Sequence, residues 1–469
     1  MPPGPLAWPV VGNMFSHSRS HQALANLAAK YGPVMTLRLG CMRTVVASSR
    51  DAAREMYKVH DLSLAGRTLY EAMKIDILDD GHGTVANNQT ASIITAQYNP
   101  FWRLLRRPCA LEFFSSNRLL AMKGVRRQCI DSMVSFIRQE SGDGKDAIVV
   151  PKLVFLMNFN LLGNLMFSRD LVDPKCEQGN EFFVLAGKIM ELVGKHNLAD
   201  FVPLLKWLDP QGIKRKSRCY TKKAFDIIGG FAGERLQAAS KVKEEPGKKD
   251  FLDVLLDFKG DGKDEPAKFS PTVINGIALE MFIAGTDTRT TSTVEWALTE
   301  LLHDPAVMAK LLSELFGRHR RIEEEDIEDL PYLRAVIKET VRMHPPLPLM
   351  VPHKAREACT LMGYYIPKCS DPKAWEEPHC FKPERFLDST IDYKGRHFEY
   401  LPFGSGRRMC PGMPLAHRML PLTLGALLHS FGWVLPQGVT PETIDMSEKL
   451  GISLKKSVPL SAIPMPHKG

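Results

Sequence analysis

Apolar residues recur at helical spacing through most of this chain and alternate with polar ones over only a few short stretches. Residues Met413 to Leu428 are mostly apolar and have the spacing of a helix. Two β-rich pieces, Val34 to Leu39 and Met42 to Ala47, predict a small sheet in the N-terminal third. The charged, glycine-punctuated stretch from Lys241 to Lys268 predicts a solvated connection, because helical patterns flank it and continue one core. These patterns predict a mainly α fold with small β-sheets in a single large domain.

The longest helical pattern begins at Ser270-Pro271 and continues to about Leu302. Serine as the cap and proline in the first turn both suit a helix start. At about 1.5 Å per residue this helix would be roughly 48 Å long, enough to cross the whole molecule. Its middle is Ala284-Gly285-Thr286-Asp287-Thr288, where glycine costs about 1 kcal/mol relative to alanine. The motif therefore indicates the wall of an active site, and its alternative is a kink in which threonine hydroxyls bond to the backbone.

A second motif is Phe403-Gly404-Ser405-Gly406-Arg407-Arg408-Met409-Cys410-Pro411-Gly412. Its close-set glycines predict a tight loop just before the helix that starts near Met413. Two arginines and the amides of a helix start favour the thiolate form of cysteine, which is the form that binds metals. The alternative is a surface turn that happens to carry a cysteine.

This decapeptide resembles the haem loop of the cytochrome P-450 family, Phe-x-x-Gly-x-Arg-x-Cys-x-Gly. The resemblance implies that Cys410 is the proximal ligand of a haem b iron and that Gly412 closes the haem-binding loop. It also implies that Arg408 pairs with a haem propionate and that Phe403 packs beside the sulfur. An axial thiolate donates electron density that favours O–O cleavage.

The motif in the long helix resembles the oxygen-activation groove of the same family. The resemblance implies that Ala284 and Gly285 leave room over the iron. It also implies that Asp287 and Thr288 relay protons to dioxygen and are the catalytic residues.

Three further residues resemble propionate partners in that family. Trp102 and Arg106 match its Trp-x-x-x-Arg helix, in which the indole N–H and the guanidinium bind propionates. His353, after Pro352, occupies the position of another such partner. The alternative for each is an ordinary surface or core residue.

Three charged residues resemble the family's buried structural triad. Glu339 and Arg342 are three residues apart on a predicted helix, so their side chains share a face. Arg385 supplies the third charge and would lock the segment before the cysteine loop through Arg–carboxylate bonds. The alternative for the Glu-x-x-Arg pair is an ordinary exposed ion pair.

The chain departs from the family pattern in two places. Arg289 stands where a threonine or serine usually follows, and the stretch from Thr288 to Trp296 is one residue longer than the family's, an insertion that a π-bulge can absorb. Between Ser370 and Asp371 the family's apolar strand has no counterpart. Its loss would leave neighbouring backbone groups unpaired, so a degenerate haem-binding protein is an open alternative.

Composition bounds the cellular context of the protein. The 469 residues include nine scattered cysteines without a C-x-x-C pair, which argues against a zinc site or disulfide framework and for a reducing compartment. The net charge of +8 is compatible with an acidic partner or anionic surface, and nucleic-acid binding is not expected. Five basic residues suit docking of an acidic electron donor, with a merely solvated basic face as the alternative: Arg103, Arg107, Lys123, Arg126 and Arg127.

The first ten residues predict the protein's location. Met1-Pro2-Pro3-Gly4-Pro5 resembles the proline-rich hinge that follows the membrane anchor in microsomal family members. We therefore assign residues 1–10 to a hinge lacking its anchor and residues 11–469 to the catalytic domain. We expect a parent protein that is tethered to the cytosolic face of the endoplasmic reticulum membrane. In this chain itself we expect no membrane span, because the sequence has no apolar run of about 18 residues. The alternative is a naturally soluble protein.

The resemblance is strongest to plant microsomal members that hydroxylate geraniol and other terpenoids or alkaloids, through Asp209-Pro210-Gln211-Gly212-Ile213 and Arg126-Arg127-Gln128-Cys129. It implies a monomeric monooxygenase that hydroxylates a small apolar terpenoid, alkaloid or phenolic. Its electrons would come from NADPH through NADPH-cytochrome P-450 reductase, with cytochrome b5 as a second partner. Residues 80–99 would form a substrate lid. A phenol-coupling or rearranging enzyme of the same fold is the alternative.

Overall fold

The computed structural model describes residues 1–9, 11–13, 21–74, 92–173, 177–241, 249–263, 265–286, 290–317, 321–365, 377, 380–451 and 453–467. The α-helices in these ranges are α1 His21–Tyr31, α2 Arg50–Lys58, α3 Pro100–Pro108, α4 Ser116–Ala121, α5 Lys123–Glu140, α6 Val150–Phe167, α7 Glu177–Gly194, α8 Leu198–Phe201, α9 Ile213–Lys241, α10 Phe251–Leu256, α11 Pro271–Thr286, α12 Ser292–His303, α13 Pro305–Phe316, α14 Pro331–Met343 and α15 Met413–Ser430.

The strands in the same ranges are short. They are β1 Val34–Leu39, β2 Met42–Ala47, β3 Gly66–Arg67, β4 Ile148–Val149, β5 His353–Lys354, β6 Thr360–Leu361, β7 Tyr364–Tyr365, β8 Phe431–Val434, β9 Glu448–Leu450, β10 Leu454–Lys456 and β11 Ser461–Pro466. Strands β4, β11 and β8 form one sheet in that order, and the other strands pair two by two. The predicted sheet is confirmed, since β1 and β2 pair antiparallel from Val34 opposite Ala47 to Leu39 opposite Met42.

Helices α6, α11, α12 and α15 form the centre of the molecule, and each is apolar on nearly every side because each is covered on nearly every side. Aromatic rings lock three elements together where α6, α7 and α11 meet. The Phe282 ring centroid lies 4.9 Å from those of both Phe159 and Phe182. Helix α6 is also long and apolar enough to span a bilayer, contrary to the sequence expectation, but 67% of it is buried inside the protein.

The long helix predicted from Ser270 is two helices in the described residues. Ser270 does cap the first, accepting a bond from the Val273 N–H at 3.4 Å. Helix α11 ends at Thr286, and α12 begins at Ser292 after π-helical residues 290 and 291. The hydroxyl of Thr291 donates to the carbonyl of Thr286 at 2.8 Å. These π-helical residues can absorb the extra residue of this stretch.

The prediction of a solvated connection from residue 241 to 268 is wrong for its middle. Helix α10 lies there, and Phe251, Leu252 and Leu255 are buried. Asp250 forms a capping box with Asp253 at the helix start. Local charge density concealed a helix whose apolar residues pack against the main core.

Candidate active site

A cavity of about 470 Å³ lies between helix α11 and the loop that precedes α15. Cys410 lines it from the loop, and Ala284 and Gly285 line it from the helix. The two motifs found in the sequence, at least 115 residues apart, therefore face one shared space. A porphyrin-sized ligand between a cysteine and this helix fits that arrangement.

The loop that carries Cys410 is held by backbone bonds and by glycines. Gly404 and Gly406 have positive φ values of 71° and 67°, which favour glycine. A Cβ on Gly406 would lie 2.3 Å from Oδ1 of Asp61. The Cys410 N–H donates to the Phe403 carbonyl at 3.0 Å. These contacts fix the cysteine just before α15, with Phe403 buried and lining the same cavity.

Gly412 lies at the boundary between this loop and helix α15, where it is the N-cap. A Cβ at this position would lie 3.8 Å from Sγ of Cys410 and 3.6 Å from Cζ of Phe114, which is ordinary contact. Both Gly412 and Phe114 line the cavity. Space therefore does not demand glycine here, and its part in binding a cofactor stays a prediction.

Several guanidinium groups converge on one side of the cavity. Arg408 donates to the carbonyls of Ala65 at 2.9 Å and Ala96 at 2.6 Å. Burial, and then repulsion from Arg67 and Arg106, lower the pKa of Arg408 to about 9. Within the described residues, Nη1 of Arg408 and Nε of Arg67 are buried without a hydrogen-bond partner. Such a cluster fits a ligand that carries carboxylates, because guanidinium pairs with them through two parallel bonds.

Arg67 was missed by the sequence analysis. It lines the cavity, is 7% exposed and donates to the carbonyls of Val351 at 2.8 Å and Pro352 at 3.1 Å. Burial lowers its pKa to about 10. Arg67 lies opposite His353 where β3 pairs with β5. This pairing joins residues nearly 300 positions apart, so no local pattern could have indicated it.

The predicted propionate partners lie around the same arginines. The guanidinium carbon of Arg408 lies 4.3 Å from the Trp102 ring, and that of Arg106 lies 5.3 Å from it. The indole N–H of Trp102 donates to the Ile93 carbonyl at 2.9 Å, and Arg106 donates to the Met409 carbonyl. Burial lowers the pKa of Arg106, and its electrostatic interaction with Cys410 opposes this shift. His353 lines the cavity, with Nδ1 2.7 Å from the Leu64 carbonyl.

The three residues of the predicted triad are brought together. Glu339 is fully buried and accepts bonds from Arg342 at 2.7 and 3.0 Å and from Arg385 at 2.9 Å. The backbone N–H of Lys382 donates to the same carboxylate at 2.8 Å. Glu339 thereby joins α14 to the turn at residues 383–386, so the geometry is that of a buried structural lock.

The basic surface expected to dock an electron donor is largely neutralised by the chain itself. Arg126 is fully buried and paired with Glu324 at 2.6 Å, so the prediction is wrong for this residue. Three more of the set have carboxylate partners: Arg107 with Glu265, Lys123 with Glu325 and Arg127 with Asp131. Arg103 is exposed.

Gly285 has a second reason to be glycine besides opening onto the cavity. A Cβ there would lie 2.8 Å from Cδ1 of Leu162, so the residue also permits close approach of α6. Asp287, Thr288 and Arg289 lie outside the described residues, as do the stretch around Ser370-Asp371 and residues 80–91 of the expected lid.

The family model of cytochrome P-450 matches residues 2–460 of this chain. The chain belongs to the cytochrome P-450 family. Iridoid oxidase of Catharanthus roseus is 43% identical, with 99% of this chain and 92% of the relative covered. Geraniol 8-hydroxylase of the same plant is 40% identical, with coverage of 99% and 94%. Geranylhydroquinone 3″-hydroxylase of Arnebia euchroma is 38% identical, with coverage of 100% and 94%.

The fold agrees with this membership. The solved structure of a zebrafish cytochrome P-450 with abiraterone superposes with a TM-score of 0.74 at 23% identity, covering 96% of this chain and 99% of the other. As a cytochrome P-450, the chain is an oxidoreductase that uses haem and receives electrons from a reductase. Its cysteine at the cavity and its partnerless guanidinium atoms fit a haem with two propionates.

Proposed function

We propose that this cytochrome P-450 hydroxylates a small terpenoid, using dioxygen and electrons that NADPH supplies through its reductase. The observation that carries the proposal is the cavity, which joins Cys410 to the groove of α11 and has mostly apolar walls. Its volume of about 470 Å³ suits a small molecule. Relatives whose names state geraniol hydroxylation and iridoid oxidation support the terpenoid class.

Each residue of the site has a proposed part in this reaction. Haem, when bound, supplies the oxygen-activating chemistry. Cys410 would hold the iron, with Phe403 and Gly412 beside it, and Ala284 and Gly285 would leave room over the ring. Asp287 and Thr288 would deliver protons. The residues proposed to hold the propionates are Arg67, Arg106, His353 and Arg408, and Trp102 would orient two of them, because its ring packs against the guanidinium groups of Arg106 and Arg408 while its N–H binds the Ile93 carbonyl.

Optical spectra test the thiolate assignment. The reduced carbon monoxide complex of the wild type should show the red-shifted Soret band that requires an intact thiolate ligand. Cys410→Ser should lose this band. Cys219→Ser, which changes an exposed cysteine, should keep it and serves as the matched control. A red-shifted band in Cys410→Ser would refute the assignment, and its absence from the wild type would favour the degenerate alternative.

Turnover tests the reaction class. With reductase present, geraniol should be converted to a hydroxylated product in which one oxygen atom comes from ¹⁸O₂. Conversion should require NADPH. Turnover without NADPH, or a product without the labelled atom, would favour the rearranging or phenol-coupling alternative.

The proposal places the protein on the cytosolic face of the endoplasmic reticulum membrane. Four exposed apolar side chains make up the proposed membrane patch: Leu6, Trp8, Leu204 and Trp207, with exposures of 97%, 66%, 79% and 80%. The two segments that carry them approach the same β1–β2 hairpin, because Gly12 bridges to Leu39 and the Cys41 N–H donates to the Phe201 carbonyl at 2.8 Å. Exposed tryptophan and leucine together favour a membrane interface.

Vesicle binding tests the location. Trp207→Ser combined with Leu204→Ser should reduce sedimentation with vesicles of phosphatidylcholine and phosphatidylserine severalfold. Leu120→Ser is the control, since it removes a side chain that is 67% exposed but is not part of this patch, and it should leave sedimentation with vesicles nearly unchanged. Equal binding by both variants would refute the assignment of this patch. We also propose that the protein is a monomer, which light scattering tests. We propose further that cytochrome b5 can supply electrons, which reconstitution with that protein tests.

A further inference from the structure

Helix α11 carries a buried carboxylate one turn before Ala284 and Gly285. Glu280 lines the cavity and is 8% exposed, between Leu279 and Met281. In the described part of the chain, no lysine or arginine forms an ion pair with it. An ionisable group buried without an opposite charge is costly, so it is retained where hydrogen bonds or function compensate.

Three donors from one turn converge on this carboxylate. The Ser92 hydroxyl donates to one oxygen, the Ile93 N–H donates to the other at 2.6 Å, and the Ile94 N–H also donates. Thr95 closes the 92–95 turn, since its N–H and hydroxyl donate to the Ser92 oxygen at 2.8 and 2.7 Å. These bonds are buried, and they join α11 to a segment that is remote in sequence.

The same turn shapes the cavity. Ile93, Ile94 and Thr95 all line it. The Ile93 carbonyl also accepts the indole bond of Trp102 at 2.9 Å, so the turn is held from two sides. Without Glu280, the turn would keep the Trp102 bond but lose its attachment to α11.

We propose that Glu280 is a positioning residue whose carboxylate fastens the 92–95 turn to α11 as a fixed wall, and so limits the length of substrate that reaches the space beside Cys410. The effect on substrate length rests on the proposed function. The attachment itself does not, because it is a property of the protein alone.

The protonation of Glu280 gives this attachment a pH dependence. Burial raises its pKa to about 7, and the bonds from Ser92, Ile93 and Ile94 oppose the shift. The other titratable groups here are the Cys109 thiol, whose pKa burial raises to about 12, and Arg106, which acts on Cys109. Between about pH 6 and 8 Glu280 is therefore the group of these three that changes charge. The bonds from the turn lower the pKa relative to a Glu280 that stays buried without them, so they favour the carboxylate and weaken when it is protonated. The turn should therefore loosen as the pH falls below about 7.

Hydrogen exchange of the haem-loaded enzyme tests the attachment without any substrate. In Glu280→Gln the side-chain amide nitrogen would face a donor, so the amides of Ile93 and Ile94 should exchange about tenfold faster at one pH. Glu280→Asp should restore part of the protection, and Asn275→Ala, on the same helix, should leave it unchanged. If the Ile93 and Ile94 amides of Glu280→Gln exchange within about twofold of the wild-type rate while the red-shifted Soret band is intact, the proposal is overturned. The protection should also weaken towards pH 6 in the wild type, after correction for intrinsic exchange, and not in Glu280→Gln.

Selectivity tests the consequence for substrate. The ratio of kcat/KM for farnesol to that for geraniol should rise at least fivefold in Glu280→Gln, and an unchanged ratio would overturn the role in substrate length. If the wild type oxidises neither alcohol, the proposed substrate class is wrong, while the exchange comparison still decides the attachment. If Glu280→Gln does not load haem, Ser92→Ala decides it. That variant keeps the carboxylate, and exchange at Ile93 unchanged from wild type would overturn the proposal.

Discussion

Replacing Glu339 by glutamine should destabilise the folded protein and weaken its hold on haem. The wild-type carboxylate is fully buried and binds two arginines whose side chains are 6% and 10% exposed. Glutamine has nearly the same shape but no charge, and its amide would face guanidinium donors. Removing one partner of a buried pair costs about 3 to 5 kcal/mol. For a chain of this length the melting temperature should fall by about 3 to 5 °C.

The control for this variant is Glu384→Gln, in the neighbouring turn. Glu384 is 35% exposed and pairs with Lys310 at 2.7 Å, and such exposed pairs contribute about 0.2 to 1 kcal/mol. Melting of the haem-loaded proteins, followed by Soret absorbance and by circular dichroism at one scan rate, measures both effects. A Glu339→Gln protein that melts within 1 °C of the Glu384→Gln control would refute the view that the triad locks the fold.

Three further changes test other contacts. Arg408→Gln should lower haem affinity about 10- to 100-fold, because charge-assisted bonds contribute about 1.5 to 3 kcal/mol, whereas Arg407→Gln at the exposed neighbour should change it little in a haem titration. Burial lowers the pKa of His344, but bonds to two glutamates outweigh it and raise that pKa above its usual value. The protonated His344 therefore contributes fully to the free energy of unfolding below about pH 6.5, and this contribution is lost as the pH rises through the folded pKa. Urea unfolding should show this loss of stability in the wild type and not in His344→Phe. Gly285→Ala should cost about 1 to 3 kcal/mol through the Leu162 side chain, and a double-mutant cycle with Leu162→Ala that shows no coupling would contradict this.

Elements with strong local signals could be predicted from the sequence. The β1–β2 hairpin has the predicted bounds, because alternation and a glycine turn specify it locally. Helix α15 extends two residues beyond its prediction, and the triad came from spacing within one helix plus one later arginine. Each of these signals depends on residues close in sequence or on a motif that has few alternatives.

Features created by long-range packing could not be predicted. The partner of Arg126 is Glu324, 198 residues away, so a buried ion pair looked like a solvated basic residue. Glu280 gave no signal, because its donors are mainly backbone groups of a distant turn. Helix α10 was hidden by surrounding charge. In each case the deciding contact exists only after the core has assembled.

The convergence of Arg67, Arg106 and Arg408 on the cavity has a consequence for the choice of tetrapyrrole. Three like charges at one pocket repel each other, and a dianionic ring neutralises part of that repulsion when it enters. The dimethyl ester of the same porphyrin has an identical macrocycle but no such charge. The ester should therefore bind much less than the free acid when the two compete. Charge neutralisation would then determine which tetrapyrrole binds as much as ring size does.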